Sequence, residues 1–146
     1  MRSKLLHDAH GLRTFAVVLA TGDEIMGCLQ RFAEAEHLSA AQVTAIGAFS
    51  EAVVTFWDWE TKAYEDIPVP EQVEVLSLNG DITLSEGDKP KLHLHTVLGR
   101  RDGSCVGGHL KSGTVRPTLE ILVTEAPAHL RRKEDPSSGL PLIRIE

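Results

Sequence analysis

The sequence predicts an α+β fold: a largely antiparallel β-sheet with one main helix packed on it, in a single compact domain. Three observations carry this. Many apolar residues fall in short alternating runs bounded by Gly, Pro, Asn or Asp, which is the pattern of strands and turns. One run alone, opened by Thr21-Gly22-Asp23-Glu24, has helical spacing behind a capping signature. The length of 146 residues, 42% hydrophobic and 25% charged, suits one globular domain with a core of its own. That domain is expected to span 1–146, with its core over about 13–124 and a C-terminal extension over 125–146.

In chain order, Thr14 to Ala20 is a short apolar run and reads as a strand buried on both faces. The capping box predicts Thr21 accepting from the Glu24 amide, and a helix over about Asp23 to Glu36. Ile25, Leu29, Phe32 and Ala33, with Cys28 alongside, form its apolar stripe. Asp23 and Glu24 then belong to a first turn, where carboxylates complement the helix dipole. His37 to Ala41 reads as a connector, Val43 to Phe49 as a strand containing Gly47, and Ala52 to Trp59 as its continuation.

Glu60-Thr61-Lys62 predicts a turn into a strand over Ala63 to Pro68, with Trp57, Trp59 and Tyr64 packing across the pair. Val73 to Leu78 is a strand, and Asn79-Gly80 predicts a hairpin into Asp81 to Leu84. Ser85 to Pro90 is a polar loop. Beyond residue 110, Thr118 to Thr124 alternates, with Leu119, Ile121 and Val123 on one side, Glu120 and Leu122 on the other, and Arg116-Pro117 at the strand's start. In the tail, Leu140 to Ile145 reads as a last edge strand.

The chemistry concentrates in residues 92–110, which carry three of the seven histidines. His93 and His95 alternate with Leu92, Leu94 and Thr96, so they leave one strand face with Cα atoms about 6–7 Å apart. Arg101-Asp102-Gly103 fits a three-residue loop with Gly103 in the left-handed conformation. Pairing Arg100 with Ser104 then sets His95 opposite His109, about 5 Å away on the same face. A two- or four-residue loop would reverse the parity and send His109 to the other face. Three neutral imidazoles on one rigid face suit zinc and leave one coordination position open. Singly, each would be an ordinary half-buried strand histidine. Gly107-Gly108 beside His109 fits close backbone approach, a second bulge or plain packing.

Several classes are excluded or disfavoured. No apolar run approaches the roughly 20 residues needed to cross a bilayer, and the first residues lack the apolar core of a signal peptide, so a cytoplasmic location is expected. Cys28 and Cys105 make neither a disulfide framework nor a CxxC site, and both read as buried thiols. A net charge of −6 speaks against a broad nucleic-acid surface. Ser104, Ser112 and Thr114 sit in no nucleophile elbow, and neither a phosphate loop nor a dinucleotide fingerprint is present.

Leu92-His93-Leu94-His95, Gly107-Gly108-His109-Leu110 and Val115 to Glu120 together resemble the plant-and-prokaryote-conserved (PPC) domain family. Glu74 to Gly80 and Thr21 to Glu24 are similar to further family segments, so the likeness covers nearly all of 13–124. The resemblance implies an α+β fold assembling as a homotrimer, and a metal site, usually taken as zinc, on His93, His95 and His109. In plant relatives the domain follows an AT-hook that enters the DNA minor groove. Thr114-Val115-Arg116-Pro117 is not such a segment, so the family's DNA-binding label has little support here.

Three functions follow as expectations. The first is a zinc-binding trimeric module for a small ligand or protein partner, associated with DNA through partners. The second is a zinc-dependent hydrolase, with Glu120 and Arg116 as the candidate base and charge stabiliser. The third is direct DNA binding by Arg100, Arg101, Lys111, Arg131, Arg132 and Lys133, which the acidic balance makes weakest and which steep salt dependence would reveal.

Overall fold

Alternation of apolar and polar residues dictates strands through most of this chain, and three of them run well past the residues expected to punctuate them. The computed structural model describes residues 1–145; Glu146, the last residue of the predicted 1–146 domain, lies outside them. In order come β1 (Arg2–Ala9), β2 (Leu12–Ala20), α1 (Ile25–Ala35), β3 (Ala40–Asp58) and β4 (Ala63–Val69). They are followed by β5 (Val73–Leu84), β6 (Pro90–Gly99), β7 (Cys105–Glu125), β8 (Arg131–Asp135) and β9 (Leu140–Arg144).

The strands form one sheet, ordered β1-β2-β7-β3-β5-β8-β9, with β4 on β3. β6 pairs with both β5 and β7, so β3, β5, β6 and β7 close a ring of antiparallel ladders. Among the described residues the one parallel contact is Leu84 with Arg131. This is a mostly antiparallel α+β domain with one helix, as expected.

The helix lays its apolar stripe on β6 and β7, burying Ile25, Cys28, Leu29, Phe32 and Ala33. Phe32 meets Phe15 of β2 edge to face at 5.3 Å. Each fully buried Ile, Leu or Phe here contributes about 1.5–3 kcal/mol of transfer free energy. The cap differs from expectation. Glu24 itself is the N-cap, its carboxylate accepting from the Met26 and Gly27 amides, and the helix starts at Ile25. Thr21 instead donates to the Pro117 carbonyl, while Asp23 accepts from the Ala20 amide and pairs with the N-terminal amine. The carboxylate offers a separate oxygen to each of two orphan amides.

Four further expectations are corrected. The two runs around Gly47 are one strand, β3, which begins at Ala40 within the supposed connector and shifts register on either side of Gly47. Asn79-Gly80 makes no hairpin: β5 runs straight through it, because β6 supplies the ladder partners His95 and Leu94. Pro117 lies inside β7, after a cis peptide bond, in a gap of the β3 ladder where its missing N–H breaks no bond. β2 is buried on one face only, through Phe15, Val17 and Leu19, because β1 covers its edge and leaves its other face open.

Of the two thiols, Cys28 is buried as expected and Cys105 is exposed, since it follows the tip of the β6–β7 hairpin. The predicted edge strand in the tail is β9.

Candidate metal centre

The β6–β7 hairpin turns as its residues require. Gly103, at φ 85°, donates to the Arg100 carbonyl, and Arg100 donates to Ser104 across the loop. That closure fixes the parity, and His95 pairs directly with His109. The backbones of β6 and β3 pass close beside Gly107 and Gly108: an added Cβ would lie 2.8 Å from the Thr96 carbonyl oxygen and 2.7 Å from that of Thr55. The glycine pair therefore serves close approach.

His93, His95 and His109 converge. One ring nitrogen from each lies within 4.8 Å of the others, and His93 Nε2 and His95 Nε2 are 3.2 Å apart. Tetrahedral zinc with nitrogens at about 2.05 Å separates its ligands by about 3.3 Å, so this pair already stands at the spacing zinc needs. His109 Nδ1 is buried and has no hydrogen-bond partner among the described residues. An unpaired buried imidazole nitrogen is costly, and a cation bound at that nitrogen would offset the cost.

Behind His93 stands a polar group that no sequence pattern indicated. Asp81 is the ladder partner of His93 on β5, with Oδ2 3.8 Å from Nδ1. Arg132 of β8 is buried at 6% exposure. It donates from Nη2 to both Asp81 oxygens at 2.9 and 2.8 Å, and stands 2.9 Å from His93 Nδ1. The guanidinium can only donate, so His93 Nδ1 accepts from Arg132 in this geometry. Were ligation through Nε2 to place the ring proton on Nδ1, Asp81 is the carboxylate that would take it. Tyr64 of β4 meets Trp57 edge to face at 4.8 Å, the expected packing across the pair, and stacks on His109 at 5.2 Å, while Trp59 is exposed and joins neither.

The electrostatics favour neutral rings at His95 and His109. Burial opposes ionisation of Asp81, but hydrogen bonds from His93 and Arg132, and their charge, outweigh it and hold the carboxyl below its usual range. Burial, then the charge of His93, pushes His95 down. Burial, then the neighbouring His93, His95, Arg132 and Lys91, pushes His109 down to about 4. At neutral pH both rings present lone pairs rather than protons, the form a metal takes.

A pH dependence follows. The unfolded chain protonates His109 near pH 6.5, but the folded chain does so only near 4. The stability this group contributes is therefore complete above about pH 6.5 and declines as pH falls toward 4. Urea unfolding of chelator-treated protein should show a lower midpoint at about pH 5 than at about pH 7.5, and His109→Gln should narrow that gap. An equal gap in the variant would reject His109 as the source.

Glu120 and Arg116 do not join the histidines. Both lie on β7 beyond His109, on the order of 20–35 Å along the strand at about 3.3 Å per residue. Glu120 sits opposite Ile46, in a shallow depression with Glu74 and Leu76. Most of the cations suggested for DNA are already paired: Arg100 with Glu71, Lys111 with Asp66, Arg131 with Asp88, and Arg132 with Asp81.

The match to known proteins is broad. The model of the Plants and Prokaryotes Conserved (PCC) domain fits residues 7–127. A metal-containing protein from Archaeoglobus fulgidus is 33% identical, with a TM-score of 0.83 over 90% of this chain and 93% of its own. A protein from Ralstonia eutropha JMP134, for which DNA binding is only supposed, is 32% identical, with a TM-score of 0.84 over 90% and 91%. A plant- and prokaryote-conserved protein from Pyrococcus horikoshii is 25% identical, with a TM-score of 0.83 over 99% and 96%. No curated protein sequence matches.

Proposed function

The chain belongs to the Plants and Prokaryotes Conserved domain family, and from that premise we propose that it is a zinc-binding module that presents an open metal position to a small ligand. One observation carries this: three histidines from two strands converge, with two of their nitrogens at the edge length of a zinc tetrahedron. His93, His95 and His109 would hold the ion, and Asp81, itself fixed by Arg132, would orient His93. When bound, zinc supplies a Lewis-acidic centre with a fourth position free. The metal-containing relative from Archaeoglobus fulgidus supports this choice.

Binding is favoured over hydrolysis by the surroundings of the histidines. A hydrolase needs a base in reach of the metal position, and Glu120 is far along β7. Asp81 is close, but its low pKa and its two bonds from Arg132 make it a poor proton acceptor. Direct DNA binding is less favoured still, because carboxylates already neutralise four of the six cations named for it.

The family resemblance also leads us to propose a homotrimer. Ile46, Leu76 and Leu122, exposed at 61%, 53% and 50% on β3, β5 and β7, are apolar side chains that an interface would cover. Sedimentation equilibrium should give three times the chain mass, and a monomer would reject the assembly.

The test of the metal reading is zinc per chain, by mass spectrometry on untagged protein. About one zinc per chain is expected in the wild type. None, after zinc has been offered, would make the histidines packing residues.

A further inference from the structure

A cavity of about 210 Å³ opens against the histidine cluster, lined by His93 and His109 on one side and by Lys91 and Arg132 on another. Tyr64, Leu92 and the β9 residues Leu140, Pro141 and Leu142 supply its apolar wall. No carboxylate among the described residues lines it: Asp81 faces Arg132 and His93 from behind. Arg132 is neutralised by Asp81, whereas Lys91 forms no ion pair or hydrogen bond among the described residues. The cavity thus carries unbalanced positive charge at one end and hydrocarbon at the other. Its volume is below the roughly 300–1,000 Å³ typical of drug-sized sites.

We propose that this cavity binds a small organic carboxylate, its head between Lys91 and the metal position and its apolar body against Tyr64, Leu140 and Leu142. Two oxygens on one carbon can engage both cations together, while an aliphatic or single-ring body matches the wall. Lys91 leaves the same strand face as His93 and His95, two and four residues on, so β6 itself aligns the ammonium with the cluster. The tail completes the site: β8 supplies Arg132 and β9 the apolar wall, which gives residues 131–144 a role beyond closing the sheet.

This rests on the zinc reading, so one experiment must read the two separately. Zinc content is measured first, and benzoate, benzyl alcohol and inorganic phosphate are then titrated calorimetrically into zinc-loaded wild type and Lys91→Met. Saturable benzoate binding is expected, at least about tenfold weaker for benzyl alcohol and for Lys91→Met, with zinc content unchanged in the variant. Full zinc without benzoate binding overturns the carboxylate inference and leaves the zinc centre standing. Equal benzoate affinity in Lys91→Met, or phosphate bound in preference to benzoate, overturns it as well. Protein that takes up no zinc overturns both.

Discussion

Replacing His109 with alanine is expected to abolish stoichiometric zinc binding while leaving the domain folded. Among the described residues three nitrogens converge here, so losing one leaves a two-histidine site. Outer partners of metal-bound histidines are worth about 10–100-fold in affinity, so a ligand itself should cost at least ~100-fold, or about 2.7 kcal/mol. The fold should survive because His109 is half-buried and pairs through its backbone, which alanine keeps. Asp81→Asn makes the graded companion: it keeps an acceptor near His93 and Arg132 but removes the charge, and should weaken zinc by about 10–100-fold. Mass spectrometry after dialysis against a zinc buffer reads both. A His109→Ala protein that still holds one zinc per chain would sink the three-histidine centre.

The two halves of this site differed in how legible they were. The histidines follow from local rules: alternation sets His93 with His95, and a three-residue loop ending in glycine fixes the parity that brings His109 across. Asp81 and Arg132 are 51 residues apart and meet only through the β5–β6 ladder and the return of β8. The signal for Asp81 was present but hidden by a stronger one. Asn79-Gly80 has the residues of a tight turn, and once it is taken as a turn, Asp81 opens a short strand of its own instead of lying within β5, whose long ladder sets it opposite His93. Arg132 sits in a basic run that reads as solvated, and nothing local marks its middle residue as buried. Glu120 and Arg116 misled for the opposite reason. Nearness in sequence to the hairpin suggested nearness in space, but β7 is a 21-residue strand that carries them away.

That same glycine supports the second large effect, a loss of stability and of zinc from a position that touches no metal. A Cβ on Gly80 would lie 2.0 Å from the His93 carbonyl oxygen, 2.9 Å from its carbonyl carbon and 2.8 Å from Leu94 Cδ2. The first two are backbone atoms of β6, which cannot yield as a side-chain tip can. β6 is held on both sides, by β5 and β7, and Leu94 is fully buried. Gly80→Ala must therefore part the β5–β6 ladder where His93 projects, at a cost of about 3 kcal/mol, the upper end for overpacking. Against a typical total of about 5–15 kcal/mol, that should lower the urea midpoint clearly. Zinc affinity should fall as well, because the shifted segment carries His93 away from His95 and His109. Gly87→Ala is the control: it lies in the β5–β6 loop with nothing within 4 Å of an added Cβ, and should be close to neutral. A packing role alone would lower the midpoint in Gly80→Ala and leave zinc untouched. Loss of both requires that Gly80 holds β6, and with it His93, in the register that makes the site.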